Sequence, residues 1–328
     1  MQTILVSKTN PDAFSTLQDA ILSIDDSHQD TIRIFIEPGI YEEKVFIRKE
    51  NIEIIGSGRD KTIFRYGDGA KKPHPSGVGE YRTFNTATIM FAGKDISVRN
   101  LTIENTAGPG YKAGQALAIY VSADRCSFYH CNFIGWQDTV FMGLTVSNPI
   151  LPEFFTNSQV NIIHKSARNY FYDCFISGDV DFIFGPNVAF FEKCEIFSRK
   201  LESEDGAYIT AANTPIDQEF GLVFSECNLT SDDSDASVYL GRPWRDYAKT
   251  AFINCHMGAH IHPAGWHNWD KIKAEAVCNY IEHANVGPGS DISKRAPFSK
   301  QITNPELASY FSRENVLMGE DNWNPKAD

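Results

Sequence analysis

Four segments of this chain place polar groups where their neighbours are apolar. They are Gly114-Gln-Ala-Leu-Ala-Ile119, Gly135-Trp-Gln-Asp-Thr-Val140, Gly178-Asp-Val-Asp-Phe-Ile-Phe-Gly185 and Leu240-Gly-Arg-Pro-Trp244. Buried polar groups need partners, so the economical expectation is that they meet on one face of the fold. Two carboxylates in unlike surroundings can divide a reaction between them. An aspartate beside an arginine stays ionised and can attack, whereas one close to that charge and partly buried keeps its proton. Glutamine NH₂ groups can donate to a developing oxyanion. Nucleophile, proton donor and oxyanion stabiliser together make an acyl-transfer site. No G-x-S-x-G segment exists, so a serine route has no support. Each residue alone also has a plainer reading. Gln115 and Gln137 fit an amide ladder, Asp138 before Thr139 a turn, Asp181 with Arg242 a structural ion pair, and Trp244 a core residue.

The elements that must position these groups repeat. An aromatic, a cysteine three residues later and an apolar residue two beyond that recur as Phe128-Tyr-His-Cys131-Asn-Phe133, Phe171-Tyr-Asp-Cys174-Phe-Ile176, Phe191-Glu-Lys-Cys194-Glu-Ile196, Phe224-Ser-Glu-Cys227-Asn-Leu229 and Phe252-Ile-Asn-Cys255-His-Met257. Each unit holds only four to six residues of alternating character, too short for a helix. The irregular period indicates a stacked solenoid. We read the fold as all-β, a parallel β-helix with the cysteines as a buried column. One domain is expected over 1–328, with coils over about 30–265 and loops and a helix over 266–328. Helices are expected near both chain ends. Asn10-Pro11 signals one over about 9–24, with Asn as N-cap, and Asn304-Pro305 signals another.

Composition removes several function classes. The formal charge of −12 over 328 residues suits neither a nucleic-acid backbone nor an anionic membrane surface. No C-x₂-C pair supports a metal site among the cysteines, and His256, His260, His262 and His267 do not make a convincing ligand set. Gly108-Pro-Gly110 lacks the order of a phosphate loop. Seven cysteines, an odd number, and an N-terminus without a leader-like pattern lead us to expect a cytoplasmic protein, secreted only if a leader has been removed.

The four segments resemble signatures of the pectin methylesterase (pectinesterase) family. Gly39-Ile-Tyr-Glu-Glu43, Thr83-Phe-Asn-Thr-Ala-Thr88, Ile261-His-Pro-Ala-Gly-Trp266 and Tyr280-Ile-Glu-His-Ala-Asn-Val-Gly-Pro-Gly289 extend the likeness in the family's order. The resemblance implies a right-handed parallel β-helix that removes methyl esters from methyl-esterified homogalacturonan or oligogalacturonates. It implies Asp181 as nucleophile, Asp138 as acid and then base, and Gln115 and Gln137 as oxyanion donors. Arg242 would pair with the nucleophile, and Thr83, Phe184 and Trp244 would contact substrate. No cofactor, metal, nucleic acid or membrane is expected, and the chain is expected to act as a monomer. One departure is an insert between Gly143 and Ala167, expected to wall the substrate groove.

Overall fold

The computed structural model describes residues 2–77, 79–143, 167–201, 206–232 and 236–326. The expected groove wall between Gly143 and Ala167 lies outside the described residues. Among the described residues, parallel strands form three sheets of 11, 7 and 8 strands. From Ile32–Ile36 to Asn279–His283 consecutive strands go to different sheets, and each sheet pairs strands from successive coils. One coil therefore contributes one strand to each face of a three-sided parallel β-helix.

The repeat noticed in the sequence is the interior of this helix. Phe128, Phe171, Phe191, Phe224 and Phe252 stack in order, with ring centroids 4.7, 4.6, 4.5 and 4.5 Å apart. Cys131, Cys174, Cys194, Cys227 and Cys255 are buried in the same core. Each thiol donates to a main-chain carbonyl of a neighbouring coil, as Cys194 does to Phe171 O at 3.5 Å. The residue before each cysteine takes a left-handed conformation: His130, Asp173, Lys193, Glu226 and Asn254 have φ between 46° and 56°. That conformation turns the chain from the 11-stranded sheet into the 8-stranded one.

The first helix is shorter than expected, Leu17–Leu22, and its N-cap is Thr16, whose side chain accepts from Asp19 N. Asn10 instead accepts from Asp12 N in a turn, and Phe14 bridges to Val6, so the chain is not free to coil there. Glu43 accepts from the N–H groups of Leu17 and Gln18 at 3.0 and 3.1 Å. This accounts for the acidic end of Gly39-Ile-Tyr-Glu-Glu43, because a carboxylate satisfies the orphan donors of a helix start. The coils also extend beyond 30–265. Gln2–Val6 and Asn279–His283 are strands of the 11-stranded sheet, as is the two-residue Lys300–Gln301. Near the C-terminus Asn304 caps Pro305–Ser309 as the Asn-Pro pair signals. A further helix, Arg313–Leu317, buries Val316 and Leu317 with Phe311 against Tyr170, Val188 and Phe190 on the outside of the 11-stranded sheet.

Candidate active site

The outer face of the 7-stranded sheet carries the polar segments. Successive coils are joined there by main-chain hydrogen bonds. Ala116 N donates to Gln137 O at 3.0 Å, Asp138 N to Val180 O at 3.0 Å, Tyr208 N to Asp179 O at 3.1 Å and Arg242 N to Thr210 O at 3.0 Å. Stacking thus brings Gln115, Gln137, Asp138, Asp181 and Arg242, spread over 128 residues of sequence, onto adjacent coils. Asp138 and Asp181 are themselves in the left-handed region, at φ 67° and 50°. Aspartate tolerates that region better than most residues, and such outliers cluster at functional sites.

Local packing explains the glycines of these motifs at two points. A Cβ on Gly178 would collide with Phe182 and lie 2.5 Å from Trp136 O, so only glycine lets the Asp179–Asp181 turn close. Gly110, in the short helix Gly110–Ala113, lies against Gln137. A Cβ there would collide with Gln137 Oε1 and come within 2.7 Å of its Cβ. Gly110 therefore packs directly on the Gln137 side chain.

Arg242 meets Asp181 in a two-pronged pair. Its Nε donates to Oδ1 at 2.8 Å and its Nη2 to Oδ2 at 2.7 Å. Both side chains are nearly buried, 14% and 8% exposed. Burial raises the Asp181 carboxyl above its ordinary value, opposed by the hydrogen bonds and charge of Arg242 and then by the charge of Lys271. Burial, which the residue types alone do not reveal, is the larger effect. Asp138 is pushed well above the ordinary value, first by burial and then by the charge on Asp181, with Asp179 adding to it and Arg242 opposing. Asp138 lacks the paired arginine bonds, so a single shared proton belongs on Asp138 and the negative charge on Asp181. Asp179 is a third buried carboxyl, pushed up to about 6 by burial against the hydrogen bond from Val180 N.

Beside these groups runs a row of rings. Phe84 lies 4.9 Å from Phe141, Phe141 lies 4.9 Å from Phe184, and Phe184 lies 5.7 Å from Trp244. Thr83 opens the short turn Thr83–Asn85 that carries Phe84. Phe184 is only 4% exposed and packs within the row, whereas Trp244 remains half-buried. The histidines scatter into other roles. His260 is buried, His262 stacks on Tyr239 at 4.3 Å, His267 packs edge-on to Tyr208 and Tyr239, and His256 contacts Asn228. Among the described residues no group of three His, Cys, Asp or Glu side chains is placed to hold a metal ion.

Three neighbours of Arg242 had not been singled out in the sequence. Tyr208 and Trp269 pack on its guanidinium, and Lys271 donates to Pro243 O and Trp244 O at 2.6 and 3.1 Å. Trp269 follows Trp266 by three residues. That aromatic pair was the available signal.

A sequence model of the pectinesterase family matches residues 3–147 and 152–320. The chain belongs to the pectinesterase family. Pectinesterase 31 of Arabidopsis thaliana is 32% identical over 324 residues, covering 97% of this chain and 93% of the relative. Pectinesterase 2 of Citrus sinensis is 30% identical and covers 98% of this chain, which spans 58% of that longer protein. Among solved structures, a pectin methylesterase from carrot superposes with a TM-score of 0.83 at 28% identity, covering 98% of this chain and 94% of the other. A pectin methylesterase in complex with a hexasaccharide superposes with a TM-score of 0.79 at 27% identity, covering 100% and 99%. The fold is the right-handed parallel β-helix of the family, and family membership makes this chain a carboxylic ester hydrolase acting on the methyl esters of pectin.

The expected cytoplasmic location is overturned by the same findings. The relatives are pectinesterases, and pectin is a polymer of the cell wall, outside the cytoplasm, which points to secretion. The cysteines misled because all seven are free and buried. Unpaired thiols here answer a packing requirement of stacked coils and carry no information about redox compartment.

Proposed function

We propose that this pectinesterase works through Asp181 and Asp138. Asp181, held by Arg242, attacks the ester carbonyl carbon through one carboxylate oxygen. The Gln115 and Gln137 NH₂ groups donate to the tetrahedral oxyanion. The intermediate collapses with cleavage of the carbonyl–methoxy bond, and Asp138 gives its proton to the departing oxygen, releasing methanol. A mixed anhydride between Asp181 and the galacturonate carboxyl remains. Asp138, now a carboxylate, takes a proton from water, whose oxygen attacks the galacturonate carbonyl. Cleavage of the anhydride bond returns the Asp181 carboxylate and a galacturonic acid carboxyl, which gives its proton to solvent, and Asp138 is protonated again.

The observation that carries this reading is the asymmetry of the two carboxyls. One has two short arginine bonds, and the other has burial and a like charge acting on it. That division suits a nucleophile and an acid, as in other paired-carboxyl sites. The row from Phe84 to Trp244 suits the apolar faces of sugar rings, with Thr83 at its edge and Phe184 within it. Methyl-esterified homogalacturonan or its oligomers fit an open face better than a closed pocket. The test is methanol release from methylated pectin with chain length followed in parallel. The wild type should release methanol without shortening the polymer, and Asp181→Ala should release none. Chain shortening, or methanol from the alanine variant at the wild-type rate, would overturn the reading.

A further inference from the structure

Arg242 is held more tightly than its pair with Asp181 requires. Its guanidinium carbon lies 3.8 Å from the ring centroid of Tyr208 and 3.8 Å from that of Trp269. The two rings are held by different means. Tyr208 is 5% exposed, stands on the strand Ala207–Ala212 and stacks on Tyr239 at 5.3 Å with the rings 16° apart. Tyr239 stacks in turn on His262 at 4.3 Å. This support belongs to the solenoid wall. Trp269 comes from a turn after the last coil of the groove. Trp269 and Asp270 are both left-handed, each at φ 55°, an unusual conformation for a bulky aromatic that stores strain. The turn is pinned by bonds from Trp269 N to His267 Nδ1 at 2.9 Å and from Asp270 N to Asn268 Oδ1 at 2.9 Å. Lys271 Nζ then ties it to the carbonyls of Pro243 and Trp244, directly after Arg242. The chain tolerates a strained turn whose outcome is an indole laid on a guanidinium.

We propose that Tyr208 and Trp269 form an aromatic clamp that positions Arg242 for the chemistry at Asp181. They are positioning residues and act through the arginine. This rests on the reading of Asp181 as nucleophile. A guanidinium on a long flexible stem has five donors, and its pair with Asp181 uses two of them. Aromatic faces attract the cation and keep water from the guanidinium. With water excluded the pair acts in a lower dielectric, and the edge facing Asp181 is held in register.

The test compares Trp269→Leu, which keeps apolar volume and removes the π face, with Trp269→Phe, which keeps a π face. Tyr208→Leu and Tyr208→Phe serve as the second pair in case one turn variant does not fold. Each leucine variant should lower kcat about tenfold with KM nearly unchanged, and each phenylalanine variant should stay within about threefold of wild type. The acid limb of the kcat profile should move to higher pH in the leucine variants. A loosened Arg242 favours the ionised form of Asp181 less, so the nucleophile is protonated sooner as pH falls. The other groups facing this pair are Asp138, Asp179, Tyr208, Lys271 and Tyr280, with Asp270 acting on Tyr208. All but the substituted Tyr208 are unchanged in these variants. A folded leucine variant with wild-type kcat and acid limb would overturn the clamp, as would phenylalanine losing as much as leucine. A rise in KM alone would also overturn it, since that marks a substrate contact. Asp181→Asn is measured alongside. If it is inactive while the leucine variants are normal, only the clamp fails. If it is active, the nucleophile reading fails.

Discussion

Two sets of buried ionisable groups stack on successive coils of this molecule, and they behave in opposite ways. In the interior, the thiols of Cys131, Cys174, Cys194 and Cys227 are pushed well above their ordinary value by burial. They stay neutral, donate weakly to carbonyls and pack as small apolar groups. On the outer face of the 7-stranded sheet, Asp138, Asp179 and Asp181 are pushed the same way by the same cause. There, Arg242 arrives from a coil 61 residues beyond Asp181 and supports one negative charge. Stacking alone yields columns of inert groups. The candidate site differs because a counter-charge from another coil makes one of its carboxyls unlike the rest.

The sharpest way to break that contrast is to remove the charge. Asp181→Asn and Asp138→Asn should each lower kcat by about 10³-fold or more, with the folded state intact, since neither role survives as an amide. Methanol release and thermal unfolding of each variant check this, and wild-type turnover in either one sinks the assignment.

A smaller loss is expected from a residue that carries no functional group. Gly110→Ala should displace Gln137 and lower kcat about 100-fold, the scale of one lost oxyanion donor. In a Gln137→Ala background the same change should cost little more, because the group it disturbs is already gone. Additive losses in the double variant would mean that Gly110 acts on something else.

Asp179 tests the electrostatic half of the comparison. Its folded pKa is raised to about 6, so the native state holds a proton that the unfolded chain releases at lower pH. That contribution is fully present below the ordinary carboxyl range and is lost as pH rises to about 6. Asp179→Asn should therefore gain stability over wild type as pH rises from about 4 to 6 and level off above that. The gain should be on the order of 2 kcal/mol. The amide oxygen can still accept from Val180 N, as the carboxylate does at 2.7 Å. Urea unfolding across that pH range measures the gain, and a difference that does not change with pH would show that the carboxyl is not held protonated.

The interior column should respond least. Cys194→Ala removes one buried sulfur and should cost about 1 kcal/mol with kcat unchanged. An aromatic disulfide reagent should find almost none of the seven buried thiols in the native protein and all of them after unfolding. Fast native labelling would place the cysteines outside the inert class.

Much of the fold is legible in the sequence. The aromatic–cysteine spacing is short-range information, and it announced both the solenoid and the interior columns. Polar residues within apolar strands marked Asp138, Asp181, Gln115, Gln137 and Arg242. Tyr208 was not legible, because every residue of Ala207–Ala212 is buried and alternation cannot say which side chain faces the groove. Gly110 was not legible either, since its neighbour Gln137 is adjacent only through coil stacking.

The sequence by itself determined the repeating unit and the chemical types available, because both are written within a few residues. Tertiary structure alone decided how those units act on one another. It made the residue before each cysteine left-handed although His130, Asp173, Lys193, Glu226 and Asn254 share no common type. It sent Trp266 inward to stack on Tyr280 at 4.1 Å and Trp269 outward onto Arg242. It also made burial the largest influence on both Asp138 and Asp181. The physical reason is that coil lengths vary, from 20 to 43 residues between successive cysteines of the column. Which side chains become neighbours is then fixed by the register of stacked strands, and the energies of burial and charge exist only between neighbours.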